Sequence, residues 1–172
     1  MKEFTLAGKI KAVVSIPSPQ SPSTPKFARR STVRGQPMRA RDMQMILDRY
    51  LEAVRQLDAD DATALMAENV SVEDPVGGPP GTHVVGREAV RSFFRKGFER
   101  SRPHPRRTGP IRTTHGQEAA MPFLLELDLN GVRSELDVID VVAFNEAGEI
   151  KSLRAFWDLR SARAIPSESK TP

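Results

Sequence analysis

Two acids and one phenol stand where the chain is otherwise apolar. In Val132–Phe144 the even positions are Val132, Ser134, Leu136, Val138, Asp140, Val142 and Phe144. Strand alternation therefore puts Asp140 on the side of Leu136, Val138, Val142 and Phe144. Asp74 shares the parity of Val70 and Val72 and points inward at the end of its strand. Tyr50, the only tyrosine, falls in the apolar stripe of a helix. A carboxyl in such surroundings tends to keep its proton unless it is paired, and then acts as a hydrogen-bond donor. Converging on an apolar cavity, one ionised carboxylate can remove a proton while two neutral donors hold the oxyanion that forms. Each residue alone also has a plainer reading. Asp140 can be an acid bonded to backbone N–H groups or one side of an ion pair. Asp74-Pro75 can begin a turn, and Tyr50 can simply pack. Trp157, spaced with Leu153, Ala155 and Leu159, reads as core.

The elements that must position these groups are legible. Met43, Ile46, Leu47, Tyr50, Leu51, Val54 and Leu57 give residues 43–57 a helical period, with Arg49, Glu52 and Arg55 opposite. Asp60 or Asp61 can cap a short second helix over 62–66. Val70–Pro75 alternates as a half-buried strand that stops at the proline. Residues 77–81 form a Gly/Pro loop. A further helix over 87–100 carries Val90, Phe93, Phe94 and Phe98 as its stripe. Strands follow at 108–114 (a weak pattern), 121–129, 132–144 and 150–159. Asn130-Gly131 marks a type I′ hairpin, and residues 145–148 make another turn. Helices first and a meander afterwards imply an α+β domain, a curved antiparallel sheet with helices packed on one face.

Composition narrows the function classes. The chain has 172 residues and no cysteine, which leaves no disulfide framework, zinc finger or thiol nucleophile. His83, His104 and His115 lack ligand spacing, so no metal is expected. No stretch approaches the roughly 18 apolar residues of a membrane helix. The net charge of +4 is unevenly spread. Residues 1–42 hold nine Lys/Arg against two Asp/Glu, and the remainder seventeen against twenty. Without a basic face interleaved with aromatics in the remainder, nucleic acid is not an expected partner. His115 reads as a solvated turn residue, and Arg95-Lys96 and Arg106-Arg107 as solvated faces.

The domain reading is threefold: a flexible basic Pro/Ser-rich segment at 1–42, a folded domain at 43–160 and a flexible tail at 161–172. The first segment carries five of the fourteen prolines and too little apolar surface to offset its ordering entropy. It is Arg-rich and poor in acids, the composition of a transit peptide. We read it instead as a dispensable tail, with Met38, Met43 and Met45 as later possible starts, and expect a chain beginning at Met38 to keep full activity. A cytoplasmic location is expected.

In these motifs the sequence resembles the ketosteroid isomerases (steroid Δ-isomerases) of the nuclear transport factor two-like fold. The resemblance runs from about Met45 to Leu159. It rests on Arg49-Tyr50, Val72-Glu73-Asp74-Pro75-Val76-Gly77, Thr108-Gly109-Pro110, Ala120-Met121-Pro122-Phe123, Asp137-Val138-Ile139-Asp140-Val141 and Arg154-Ala155-Phe156-Trp157, in the family's order. It implies Asp74 as general base, with Tyr50 and Asp140 as the oxyanion hole and Asp140 protonated. It implies that Phe93, Met121, Phe123, Val138 and Trp157 line a steroid pocket. It further implies isomerisation of a 3-oxo-Δ5-steroid to its Δ4 conjugate, no cofactor, and a homodimer with packed sheets. Phe94 and Met66 stand where members of the family have tyrosines, which shortens the hydrogen-bond chain behind Tyr50. The competing expectations are a non-catalytic binder of steroids or other apolar ligands on the same fold, and a related lyase, hydratase or cyclase.

Overall fold

The computed structural model describes residues 37–166. Helix α1 spans Ala40–Arg55, starting three residues before the first periodic methionine. Its buried face is Met43, Leu47, Tyr50, Leu51, Ala53 and Val54, while Ile46 is only partly buried and Leu57 lies past the helix end. Helix α2 spans Ala59–Ala64. Its cap is Asp58, whose side chain accepts from the Asp61 N–H, and not Asp60 or Asp61. Asp58 is the residue with extended backbone dihedrals, which lets a carboxylate reach a first-turn N–H. Met66, expected at the end of this helix, instead opens strand β1, Met66–Glu73.

Strand β2 is His83–Val85, and helix α3 is Arg87–Ser101 with Val90, Phe94 and Phe98 buried. Phe93, on the expected stripe, is only partly buried. The weak pattern at 108–114 resolves into two short strands on either side of Gly109-Pro110, β3 at His104–Arg107 and β4 at Arg112–Thr113. Strands β5, Glu118–Leu129, and β6, Val132–Phe144, form the long hairpin. Asn130 and Gly131 both adopt positive φ at its tip, as a type I′ turn demands. Strand β7 is Ile150–Phe156 and ends before Trp157. A 3-10 turn at Leu159–Ser161 follows. Strand β8, Arg163–Ala164, pairs with Ser134 and Glu135, so residues read as tail add to the sheet.

The sheet runs β2-β1-β7-β6-β5-β3, with β4 beside β5 and β8 beside β6. The meander is antiparallel as expected, but β1 joins it parallel to β7, which makes the sheet mixed. That pairing puts Val72 beside Leu153 and Glu73 beside Arg154. The core lies between the helices and one sheet face. Leu47, Met66, Met121, Leu136, Val142, Ile150 and Leu153 are fully buried there. Each such apolar side chain contributes about 1.5–3 kcal/mol on burial. On the opposite face, Pro122, Ile139 and Phe156 form one row across three strands, with Ile139 and Phe156 exposed. Among the described residues no helix is long and apolar enough to cross a membrane.

Candidate active site

The end of β1, the inner face of β5–β7 and the facing sides of α1 and α3 enclose a cavity of about 1180 Å³. Tyr50, Asp74 and Asp140 all line it. Tyr50 arrives on the buried face of α1, Asp140 on the inward parity of β6, and Asp74 just past the end of β1. The structure therefore brings the three polar residues together, on walls supplied by Phe93, Phe123, Val138 and Trp157. Met121 is a correction. It shares the parity of Phe123 and lies opposite Asp140, but it is fully buried in the core and forms no part of the cavity wall.

The two carboxyls differ in their surroundings. Asp140 is 2% exposed, its backbone lies between β5 and β7, and it borders the cavity. Burial pushes its pKa well above the usual carboxylate range, and the charge of Asp74 pushes it further. Asp74 is half-buried and is held by Trp157, whose indole N–H donates to Oδ1 at 2.6 Å. Burial raises the Asp74 pKa as well, while the indole bond favours the charged form and opposes that rise. The Tyr50 phenol is held well above its ordinary value, first by burial and then by the charges of Asp140 and Asp74. It stays a neutral donor across the physiological range. Phe94 packs beside Tyr50 with ring centroids 6.3 Å apart and has no hydroxyl to offer it. Tyr50 and Asp140 both border the cavity, where each can meet a ligand oxygen, and the upward shift of the Asp140 pKa favours its protonated, donating form.

The donor role of Trp157 is what sequence reasoning missed. Periodicity treats residue 157 as a continuation of β7, whereas it lies past the strand's end and turns to a carboxylate 83 positions away. Only the parallel β1–β7 pairing makes them neighbours. Backbone bonds fix the same junction: the Asp74 N–H donates to Thr82 O at 2.8 Å and the Val76 N–H to Ala155 O at 2.9 Å. The Asp74–Pro75 peptide is cis. Among the described residues no group of three or more His, Asp or Glu side chains is arranged to hold a metal ion.

Comparison with known proteins agrees with this fold. Residues 47–153 match the model of the SnoaL-like domain. The chain is 31% identical over 116 residues to a steroid Delta-isomerase of Nocardioides simplex, an alignment covering 67% of this chain and 89% of that protein. Among solved structures it resembles the epoxide hydrolase/cyclase-like enzyme SalBIII of pyran ring formation in the polyether salinomycin. That match has a TM-score of 0.63 and 25% identity, over 73% of this chain and 97% of that one. It also resembles RV0760c from Mycobacterium tuberculosis, with a TM-score of 0.64 and 25% identity, over 71% of this chain and 95% of that one.

Proposed function

The chain belongs to the SnoaL-like, ketosteroid isomerase-like family, and from that membership we propose that it is a steroid Δ-isomerase. The observation that carries the reading is the convergence of Asp74, Tyr50 and Asp140 on one largely apolar cavity, with differently disposed carboxyls. In the proposed reaction a 3-oxo-Δ5-steroid enters with its carbonyl oxygen toward Tyr50 and Asp140. Asp74, charged and oriented by the Trp157 indole, takes the acidic proton between the carbonyl and the double bond. The C–H electron pair forms a new double bond to the carbonyl carbon and the carbonyl π pair moves onto oxygen, which gives a dienolate conjugated with the original double bond. Tyr50 and the protonated Asp140 hold that oxygen, each worth about 2.7–4 kcal/mol if it behaves like other oxyanion donors. Asp74 then returns the proton two carbons along, leaving the conjugated Δ4 ketone. Proton count and charge balance without a cofactor.

The wall residues in this reading are Phe93, Phe123, Val138 and Trp157, and the substrate is a small apolar molecule. The cavity exceeds the roughly 300–1,000 Å³ usual for small-ligand sites, room enough for a polycyclic skeleton. We propose a homodimer through the row of Pro122, Ile139 and Phe156, and a cytoplasmic location. The likeness to the salinomycin enzyme favours a second reading, a related cyclase using the same acid and base. The deciding experiment mixes purified protein with 5-androstene-3,17-dione and follows the conjugated-enone absorbance. Catalysed growth is expected. Steroid binding without growth would leave a binder, and neither binding nor growth would turn attention to the cyclase.

A further inference from the structure

We propose that Glu73 is a positioning residue for Asp74, acting through a clasp on the opposite face of the same strand end. Alternation sends residue 73 outward where residue 74 turns in. On the outer face the Glu73 carboxylate accepts twice: from the Gly77 N–H at 3.1 Å through Oε1, and from Arg154 Nε at 3.2 Å through Oε2. Arg154 is its register partner across the parallel β1–β7 pair, and its guanidinium lies 5.2 Å from the centre of the Phe156 ring. Three residues further along the same segment, Trp157 holds Asp74 on the inner face. Residues 73 and 74 are thus each tied to the end of β7, one on either side of the sheet. The Gly77 bond closes the loop after Asp74, where Gly77 has φ of +69°.

Without Glu73 the loop from Pro75 to Gly77 loses its outer anchor and β1 loses its side-chain tie to β7. Asp74 and Trp157 then share one less constraint. The pair itself is partly exposed, with Glu73 at 29% and Arg154 at 48%, so its removal perturbs overall stability little. Its effect falls on geometry, where a shift of about 1 Å can cost on the order of 100-fold in rate. The inference rests on Asp74 being the base, but its test does not need turnover. Trp157 is the chain's single tryptophan, so one indole N–H resonance reports the bond to Asp74. The groups facing Asp74 across the cavity are Asp140 and Tyr50, and those facing Glu73 are Arg154 and His83.

The experiment compares wild-type full-length protein with Glu73→Ala and Glu73→Gln by NMR titration and by steady-state kinetics. Glu73→Ala is expected to move the indole resonance, raise the pH at which it titrates, and lower kcat about ten- to a hundred-fold with little change in KM. Glu73→Gln keeps one acceptor oxygen, enough for the Gly77 N–H but not for Arg154 as well, and is expected to fall between Glu73→Ala and wild type in both readouts. An indole resonance and kcat unchanged in Glu73→Ala would overturn the proposal. If wild-type protein turns over no steroid, the isomerase reading fails while the NMR arm still decides the role of Glu73.

Discussion

Trp157 and Asp74 meet through a 2.6 Å hydrogen bond that joins the residue just past β7 to the residue just past β1. A donor on the charged carboxylate lowers its pKa, and burial raises it. Trp157→Phe removes the donor and leaves the burial. The Asp74 pKa must therefore rise, and the acid limb of the kcat/KM profile must move to higher pH. A limb unmoved by the substitution would show that the bond does not set the protonation of the base. Because the catalytic atoms remain, the loss on the plateau should be smaller than that caused by Tyr50→Phe.

Asp74→Asn takes away the proton carrier but keeps shape and volume. General-base removal typically costs about 10²–10⁴ in rate, and here the same group both abstracts and returns the proton. We expect loss at or beyond the upper end of that range. A saturated steroid should still bind, as equilibrium titration of Trp157 fluorescence would reveal. Turnover equal to wild type would remove Asp74 from the mechanism.

Tyr50→Phe and Asp140→Ala each delete one donor to the oxygen. Each should lower kcat about 10²–10³-fold. The two losses should combine less than additively, since two donors that act as one unit on one oxygen are already compromised by the loss of either. A fully additive double variant, measured in the same absorbance assay, would mean that the two groups do not share one oxygen.

The residues that were legible in the sequence owe that to local periodicity. Asp140 betrays itself because β6 alternates in burial from Ser134 to Phe144, and Tyr50 because α1 has an apolar stripe. Asn130-Gly131 specifies its turn by backbone preference alone. What stayed hidden depends on partners distant in the chain. Nothing local to Met66–Glu73 says that it pairs parallel to β7, because that pairing joins segments some eighty residues apart. The bond from Trp157 to Asp74 inherits this. Met121 and Phe123 have the same parity, and only the placement of the helices decides which reaches the cavity. Local pattern also gave no sign that Arg163 and Ala164 would join the sheet, since their stabilisation comes from β6.

Asp140 should make folding stability fall as pH rises. Its folded-state pKa lies well above the ordinary carboxylate value, so the native protein holds a proton that the unfolded chain releases. Above the unfolded pKa, each step up in pH then favours unfolding, until the folded pKa is passed. Asp140→Asn keeps a neutral hydrogen-bonding group and removes this dependence. The variant should be more stable than wild type at neutral pH by on the order of 1 kcal/mol, a rise of a few degrees in Tm. The difference should vanish at pH values below the ordinary carboxylate range, where both proteins carry a neutral group. Thermal melts of the two proteins between pH 3 and 8 would check the sign; parallel curves would place Asp140 in an environment that tolerates its charge.

The outer sheet face makes the last prediction. Ile139 is 47% exposed and Phe156 41%, side by side in register with Pro122 between β5, β6 and β7. A contiguous apolar row in the middle of a sheet is costly to leave in water and suits a self-complementary contact about a two-fold axis. Ile139→Glu places a charge at its centre. In sedimentation velocity the wild-type protein should run as a dimer at micromolar concentration, and the variant as a monomer. The cavity opens on the other side of the sheet, so the Trp157 indole resonance of the variant should keep its wild-type position. A wild-type monomer across the same concentrations would remove the dimer and leave the row without a partner copy.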